Sequence, residues 1–556
     1  MFNKNLEAID NPALKRRLSR ISEIESKSDM SYCISSSNDY VLLKNNLPID
    51  DLKNPRQAIQ KMFENTIKNQ MQKNDIIINF GIGLCYLLDE TFNKYPSRIM
   101  IYEPDLNLLH FVLQNVDISQ HLTSGRVYIS NDLDEFASKL SSIYLTKDKV
   151  EIVYIPNYAI IKNKELLMLT QKVFDTCKTK MVDINTITKF SQKWLMNSIL
   201  NLSFNVNNKS YLLSELENLY NGKTALIAGA GPSLADNINI IKEKREQLVI
   251  IAVNKVAKYL IQNELIPDFV VFMDAYNATD TLNDISGNLF ETNCIFDFRA
   301  DNNVTKFNFK NFYYYFSEAD TPFTQLSLHN KIKSYESSGS ASIMALISAI
   351  KMGFSQIILA GIDLAFKDNK IYANGENINR ISQNQIIVDN VKKDIQQVKS
   401  VTGKLVYTRA DYAAFINHFD NIISQIKHNK IYNISSFGAN LKGVINTKFN
   451  DIKIENNNNT NINLENLKPF IFEYKDFMQE ELSQINNIIS ILSTRIFSQA
   501  LISAILKSTF VYQYMQADIL NVLQKNFAKE LAEDFIEKTK NSIKEIISLL
   551  QSEKLI

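Results

Sequence analysis

The chain has 556 residues, 45% of them hydrophobic, and its 61 basic and 60 acidic residues give a formal net charge of +1. This balance excludes electrostatic attraction to nucleic acid or to an anionic membrane as the main basis of function, while the length predicts two to four domains. The four cysteines form no Cys-x-x-Cys pair, which disfavours a disulfide framework and a thiolate zinc site. No window approaches the ~18 apolar residues of a membrane span. We therefore expect a soluble, cytoplasmic protein that has neither a membrane span nor nucleic acid as a partner.

The first 200 residues predict a helical lead-in followed by a Rossmann-like domain. Residues 1 to about 70 show short helical patterns. Two strand candidates, Asp75–Phe80 and Ile99–Asp105, flank a turn at Gly81-Ile-Gly83 and suggest a βαβ unit. Further alternation at 126–129 and 150–154 ends in a helix-rich stretch from about Glu165 to Leu202.

Residues 201–454 predict a second Rossmann-like domain with a more regular series of apolar strands. The candidates are 224–228, 248–253, 269–273, 293–298, 312–316 and 356–360. Near-continuous apolar strands of this length are typical of a doubly wound parallel sheet covered on both faces. The polar run Glu455–Thr460 predicts a linker, and helical spacing of Ile485, Ile489, Leu492 and Ile496 predicts an all-helical domain over 455–556.

The most informative stretch runs from Lys223 to Leu234, where a buried strand leads into a glycine-rich turn that opens a helix. Gly229 and Gly231 permit close approaches that a Cβ forbids, and Pro232 fits the first turn of the following helix. Ser233 is expected to act together with the backbone N–H groups of the turn. Unpaired N–H groups at such a turn suit a phosphate, although a Gly-x-Gly at a strand end is often only a tight connection.

Polar residues follow several of the predicted central strands. Asn254 and Asp274 come directly after strands, and Asp363 follows the strand 356–360 after Gly361 and Ile362. Ser337-Ser338-Gly339 precedes a helix that starts at Ala341. Because carboxyl ends of parallel strands share one edge, we expect these groups to line one crevice with two anion sites. Each of them also has an ordinary structural role open to it, as a turn residue or a helix cap.

At this point the sequence resembles a known family. The strings Ser337–Phe354, Ile357–Phe366 and Gly229–Leu234, with Phe80–Leu84 and Tyr102–Asp105 in the first domain, look like the motility-associated factor family of flagellin glycosyltransferases. The central domain of that family is similar to bacterial sialyltransferases. The resemblance implies transfer of a nonulosonic acid, of pseudaminic or legionaminic type, from its CMP ester to serine or threonine hydroxyls of flagellin. Flagellin and the CMP-sugar are thus the implied partners; no further cofactor is firmly predicted.

The same resemblance suggests roles for individual residues. Asn254 matches an asparagine that holds polar groups of the donor, and Ser338 matches a contact to carboxylate and phosphate. Asp363 and Tyr372 match the region that contacts the nucleotide and its phosphate, with the tyrosine as hydrogen-bond donor to the leaving group. Thr408 matches a threonine of the flagellin-modifying branch.

Several departures from the sialyltransferase pattern affect the assignment. Ala230 stands where a polar residue is usual between the glycines, and Asp274 replaces an asparagine, which makes it a candidate base. The expected histidine is missing near Val406–Tyr412, and Phe437 replaces a usual glycine. The general base is therefore left unassigned.

Three other interpretations stay open. Asn79–Gly83 followed by Glu103 copies the spacing of an adenosyl-cofactor turn with an acidic ribose ligand. The second interpretation is a pterin diphosphokinase, because a related branch of proteins shares the central domain; such an enzyme needs ATP and magnesium. A non-enzymatic flagellin chaperone would grip its partner through the helical C-terminal domain.

Overall fold

The computed structural model is a mixed α/β protein with parallel sheets and a helical C-terminal region. It describes residues 1–21, 29–68, 70–145, 148–277, 289–317, 324–336, 339–366, 395–426, 429–454, 467–494, 496–524 and 532–556, with the single positions 280, 282 and 464. The chain divides into two compact units, which are described separately. Unit 1 comprises Met1–Thr188 with Asn521–Phe527, and unit 2 comprises Lys189–Leu520 with Ala528–Ile556. No helix in the described ranges combines the length and the apolar character needed to cross a bilayer.

Unit 1 is built on a four-stranded parallel sheet in the order β6-β5-β4-β7. Its elements in chain order are α1 Phe2–Ala8, α2 Pro12–Leu18, β1 Met30–Ile34, β2 Tyr40–Lys44, β3 Leu47–Pro48, α3 Pro55–Thr66, β4 Ile76–Phe80, α4 Tyr86–Lys94, β5 Arg98–Tyr102, α5 Leu106–Asn115, α6 Ser119–Thr123, β6 Val127–Ser130, α7 Leu133–Ile143, β7 Val150–Tyr154 and α8 Pro156–Ile161. The four strands lie at or beside the ranges predicted from sequence, because β4 and most of β5 are apolar runs with both faces buried.

The prediction of a purely helical lead-in is wrong over residues 30–48. Strands β1, β2 and β3 form an antiparallel sheet in this region. The reversal between β2 and β3 occurs at Asn45 and Asn46, which adopt φ of 49° and 63°. Asparagine tolerates this left-handed conformation, and two such residues in succession are typical of a tight hairpin.

A single helix, α9, runs from Asn163 to Asn207, and the residues from Lys189 onward belong to unit 2. Its amide side chains hold loops at the carboxyl edge of the unit 2 sheet. The Nδ2 of Asn197 donates to the carbonyl groups of Ala275 and Arg299, each at 3.0 Å. One turn further on, Asn201 donates in the same way to Phe298 and Ala300, also at 3.0 Å. These bonds satisfy buried carbonyl groups that the sheet ladder does not reach.

Unit 2 is built on a ten-stranded sheet whose pairs are all parallel. The order is β14-β13-β12-β11-β10-β9-β15-β18-β19, and β8 pairs with β13. The strands are β8 Tyr211–Leu212, β9 Thr224–Ala228, β10 Val249–Val253, β11 Phe269–Phe272, β12 Asn293–Asp297, β13 Phe312–Ser317, β14 Ser334–Tyr335, β15 Gln356–Ala360, β18 Lys430–Asn433 and β19 Ile445–Asn446. A separate antiparallel hairpin joins β16 Ile395–Lys399 to β17 Leu405–Arg409.

Helices cover this sheet and form the C-terminal region. They are α10 Ser233–Glu243, α11 Asn254–Gln262, α12 Thr324–His329, α13 Ala341–Met352, α14 Ala410–Ser424, α15 Lys475–Ser493, α16 Gln499–Ile505, α17 Thr509–Gln524 and α18 Ala532–Ser552. The six central strands predicted from sequence are confirmed with end shifts of one residue, and the C-terminal region is helical as predicted. The predicted linker at 455–460 lies outside the described residues.

Candidate functional site

The strand order of the unit 2 sheet changes direction between β9 and β15. From β9 the chain adds β10 to β13 on one side, whereas β15 and β18 lie on the other side. In parallel sheets the crevice beyond the carboxyl ends at such a reversal is the usual ligand position. A cavity of about 290 Å³ lies there, lined by residues that follow β9, β10, β11 and β15.

The glycine turn after β9 is shaped by its packing against the chain that leaves β15. The N–H of Gly229 donates to the Ala360 carbonyl, and that of Gly231 donates to the Gly361 carbonyl, both at 2.8 Å. A Cβ on Gly231 would lie 2.6 Å from the Gly361 oxygen and 2.4 Å from a carboxylate oxygen of Asp363. Only glycine fits this approach, so the turn serves to join two strand ends closely.

The carboxylate of Asp363 sits at the N-terminus of α10. Its Oδ2 accepts the backbone N–H of Ser233 at 2.9 Å, and its Oδ1 accepts the Ser233 hydroxyl. That hydroxyl also lies 2.8 Å from the hydroxyl of Ser435. An internal carboxylate therefore occupies the helix end for which the sequence suggested a ligand phosphate. The first N–H group of the helix is already committed.

The segment that carries Asp363 is fixed from three sides. Leu364 adopts a φ of 46°, an uncommon conformation for a residue with a branched side chain. The Thr408 hydroxyl, which is fully buried, donates to the Leu364 carbonyl at 2.6 Å. The Asp363 carbonyl accepts the N–H of Ala439 at 2.8 Å, and Gly438 packs directly against the Asp363 backbone. Thr408 thus fixes the backbone of Leu364, which lines the cavity, without lining the cavity itself.

A second helix N-terminus, that of α13, opens onto the cavity, and its first-turn amides donate to no other element in the described part of the chain. Ser340 is the N-cap residue, yet its side chain makes no capping bond. Gly339 has a φ of +75°, and no atom of the described residues lies within 4 Å of the position its Cβ would take. The cavity lining continues through Ala341 and Ser342. First-turn N–H groups without a side-chain cap, together with the helix dipole, make this end suitable for an anion. Ser337 and Ser338, predicted for the same role, lie outside the described residues.

Charged side chains complete the lining. Lys255 and Arg409 supply positive charge, and Asp274 and Asp411 supply carboxylates. Arg409 pairs with Asp411 through two N–H donors, one of them at 2.9 Å, and its guanidinium lies 4.9 Å from the centre of the Tyr412 ring. The Asp274 side chain is exposed and makes no hydrogen bond within the described residues, while its carbonyl accepts the N–H of Asp301 at 3.0 Å.

The structure brings most of the predicted site residues together. Gly231, Asn254, Asp274, Gly339 and Asp363 line the cavity. Gly229, Ser233 and Thr408 lie outside the lining, and the bonds described above show that they support its walls. Tyr372 lies outside the described residues.

Sequence reasoning missed Lys255, Arg409 and Asp411. A signal for the lysine was its place beside Asn254 at a strand end. The arginine and aspartate lie in the string Val406–Tyr412, where the family pattern points to a histidine. Their opposite charges, two positions apart, are the signal in the sequence.

The glycine turn of unit 1 is closed by the protein itself. A Cβ on Gly81 would meet the Tyr158 ring at 2.5 Å, so that ring fills the space beside the turn. Glu103 is fully buried and accepts the Tyr158 hydroxyl together with the N–H groups of Ile82 at 3.0 Å and Asp105 at 2.9 Å. Burial raises the pKa of Glu103 to about 7. The adenosyl-cofactor interpretation needs the Glu103 carboxylate to bind a ribose. Because this carboxylate already accepts three hydrogen bonds within the chain, the structure disfavours that interpretation.

The comparisons with known proteins agree with this architecture. A family model described as 6-hydroxymethylpterin diphosphokinase MptE-like matches residues 196–369. A solved structure of a Maf glycosyltransferase from Magnetospirillum magneticum matches with a TM-score of 0.65 and 14% identity, covering 100% of this chain and 96% of that chain. No curated protein matches the sequence. At this identity the likeness shows the fold, so the resemblance inferred from the motifs is confirmed as a shared fold along the whole chain.

Proposed function

We propose that the chain is a glycosyltransferase that moves a nonulosonic acid, of pseudaminic or legionaminic type, from its CMP ester to serine or threonine hydroxyls of flagellin. The observation that carries this proposal is the cavity at the β9–β15 reversal, where an uncapped helix N-terminus faces two cationic side chains. A CMP-nonulosonate carries a phosphate and a carboxylate, and the cavity offers cationic and amide donors for both.

The reaction needs stabilisation of negative charge more than covalent help. As the hydroxyl oxygen bonds to the anomeric carbon, the bond from that carbon to the phosphate oxygen breaks, and CMP leaves with the electron pair. We assign the stabilisation of this charge to the first-turn amides of α13 and the ammonium group of Lys255, which line the same cavity. Arg409, oriented by Asp411, lines the same cavity, and we assign its positive charge to the sugar carboxylate.

The proton of the acceptor hydroxyl must pass to a base, and Asp274 is our candidate. Of the carboxylates that line the cavity, Asp363 is committed to Ser233 and Asp411 to Arg409. The Asp274 carboxylate has no hydrogen bond within the described residues and is exposed at the cavity edge. A carboxylate in this place accepts a proton without the reorganisation that breaking an ion pair requires.

Calorimetric titration with CMP, ATP and the adenosyl cofactor tests the proposal directly. We expect CMP to bind, Lys255→Ala to weaken that binding by about tenfold or more, and the exposed Lys544→Glu on α18 to leave it unchanged. Asp274→Asn should retain CMP affinity while transfer of sugar mass to co-expressed flagellin falls by about 100-fold or more. Binding of ATP without any effect of CMP contradicts the proposal.

The family-model match over residues 196–369 favours a second candidate, a pterin diphosphokinase. That activity requires ATP and a divalent cation, and the exposed carboxylate of Asp274 is a suitable magnesium ligand. The two candidates separate in one assay that supplies ATP, magnesium and 6-hydroxymethylpterin. Formation of AMP together with pterin diphosphate supports the kinase and contradicts the transferase.

A further inference from the structure

Unit 2 contains a second concave feature, which we call the α9 groove. It has a volume of about 450 Å³ and lies between one face of α9 and the loop Asp301–Lys306. The helix contributes Lys193, Asn197, Leu200 and Phe204, and the wall ends at Asn208. Residues spaced three and four apart share one side of a helix, so the groove follows the helix axis.

The length of the α9 groove suits an extended chain. Fifteen residue steps of an α-helix, from Lys193 to Asn208, span ~22 Å at ~1.5 Å per residue. An extended polypeptide rises ~3.3 Å per residue, so six or seven residues fill about this length.

The lining of the groove offers donors and acceptors without a dominant charge. Amide side chains come from Asn207, Asn302 and Asn303, whose Nδ2 groups each donate one hydrogen bond within the chain and carry a second N–H. Hydroxyl groups come from Ser203 and Thr305, and the Thr305 hydroxyl donates to the Asn302 carbonyl while its oxygen can still accept. Lys193 and Lys306 are matched in number by Asp301 and Glu553. Neutral side chains that both donate and accept complement peptide N–H and C=O groups, which have the same dual character.

The α9 groove shares a wall with the catalytic cavity. Asp301 lines the groove, and its N–H donates at 3.0 Å to the carbonyl of Asp274, which lines the cavity. Asn197 lines the groove and donates to the carbonyl of Ala275, the residue next to Asp274. A chain that follows the groove toward Lys193 therefore arrives beside the candidate base.

A cluster of aromatic rings stands at this junction. Phe190 lies 5.7 Å from both Trp194 and Tyr276, measured between ring centres, and Tyr276 is 45% exposed. Trp194 is fixed by the Arg299 guanidinium, 4.9 Å from the indole centre, and Arg299 in turn pairs with Asp297 at 3.0 Å. A rigid, partly exposed aromatic surface suits an apolar side chain of a bound peptide.

We propose that the α9 groove binds an extended polypeptide segment of the acceptor, and that the Phe190–Trp194–Tyr276 cluster packs on a side chain near its reacting hydroxyl. This inference rests on the proposed transferase function, since the groove then feeds the acceptor to Asp274. Tyr276 and Lys306 act as acceptor-positioning residues, away from the donor.

The experiment uses the full chain and two independent readouts. The chain has one tryptophan, Trp194, so its emission reports directly on the cluster. We expect eight-residue peptides that carry a serine next to an aromatic residue to change this emission saturably. Tyr276→Ala and Lys306→Glu should raise the peptide concentration that gives half of the change at least tenfold, while Lys544→Glu should match the wild type. In the transfer assay the same two variants should raise KM for flagellin at least tenfold, with kcat and the release of sugar to water within twofold.

The outcomes separate the two proposals. If no CMP-sugar is turned over, even to water, the transferase proposal fails, and the Trp194 response to peptides still tests the groove. If sugar is released to water but peptides leave Trp194 emission unchanged and Tyr276→Ala leaves the KM for flagellin unaltered, the groove proposal is overturned. A response to neutral oligosaccharides in place of peptides also overturns it.

Discussion

Replacement of Asp363 tests how the glycine turn is held at the cavity. The carboxylate is 3% exposed and accepts two hydrogen bonds from Ser233, one from the first N–H group of α10. A hydrogen bond to a charged group contributes about 1.5–3 kcal/mol, and a charge at a helix N-terminus adds about 0.3–2 kcal/mol. Asp363→Ala removes these interactions and leaves buried donors without their acceptor. We expect the free energy of unfolding of unit 2 to fall by about 3–5 kcal/mol.

Asp363→Asn keeps the side-chain volume and one acceptor oxygen, so its cost should be about half as large. Ser233→Ala removes the hydroxyl but keeps the backbone donor, and it should couple with Asp363→Ala because both variants delete the same bond. Urea unfolding of the wild type, of the two alanine variants and of the double variant gives the coupling energy. Unit 2 has more than 300 residues, and at an unfolding entropy of about 2.1 cal/mol/K per residue each kcal/mol shifts its Tm by roughly 1–2 °C, so Asp363→Ala should melt about 4–7 °C below the wild type.

Two results would refute this reasoning. An Asp363→Ala protein that melts within about 2 °C of the wild type shows that the carboxylate does not hold the turn. Strict additivity of the Ser233→Ala and Asp363→Ala costs shows that the bond between them contributes nothing. If Asp363→Asn instead keeps its stability and its CMP affinity but loses transfer, the carboxylate acts on the reacting groups.

Three further predictions follow. Gly438→Ala places a Cβ 2.7 Å from the backbone oxygen of Asp363 at a φ of +115°. We expect the free energy of unfolding in urea to fall by about 2–4 kcal/mol and CMP to bind more weakly. The control Gly403→Ala, at an open position with a φ of +80°, should cost only about 1 kcal/mol. Arg409→Gln should raise the Kd for a CMP-nonulosonate more than that for CMP, because CMP lacks the sugar carboxylate; equal effects on both ligands contradict the assigned contact. Burial raises the pKa of Asp50 to about 7, above the ~4 of an exposed aspartate. Between these two values the folded state keeps a proton that the unfolded state has lost, so the free energy of unfolding of unit 1 falls as pH rises from about 4 to 7. Asp50→Asn should flatten that fall in urea unfolding measured at pH 5 and pH 8, and an unchanged slope would contradict the shift.

The sequence predicted the fold best where a whole strand is buried on both faces. Strands such as Thr224–Ala228 and Gln356–Ala360 are buried along their whole length, and a continuous apolar run predicts this directly. Parallel pairing then places their carboxyl ends together, and Asn254, Asp274 and Asp363, which follow strands of this sheet, line one cavity.

The sequence was least informative about orientation. Nothing in the pattern indicates that Asp363 turns toward Ser233, 130 positions earlier, since that contact depends on how β9 and β15 pair. In the C-terminal region the helical period was right but its phase was partly wrong. Ile485 and Leu492 are buried as the pattern predicts, whereas Ile489 is 42% exposed and its neighbour Ile488 is fully buried. Neighbouring isoleucines are equivalent in sequence, and only packing selects between them.

The asparagine contacts of α9 have a consequence for how this protein can diverge. Asn197 and Asn201 hold their loops only through main-chain carbonyl groups, at 3.0 Å in each of four bonds. Every amino acid supplies such a carbonyl, so the loops around Ala275 and Arg299 can change their side chains without losing these anchors. Substitutions are thereby tolerated in these loops and restricted at the two asparagines of α9. Among homologues, we expect the two asparagines to persist while the loop residues vary with the acceptor.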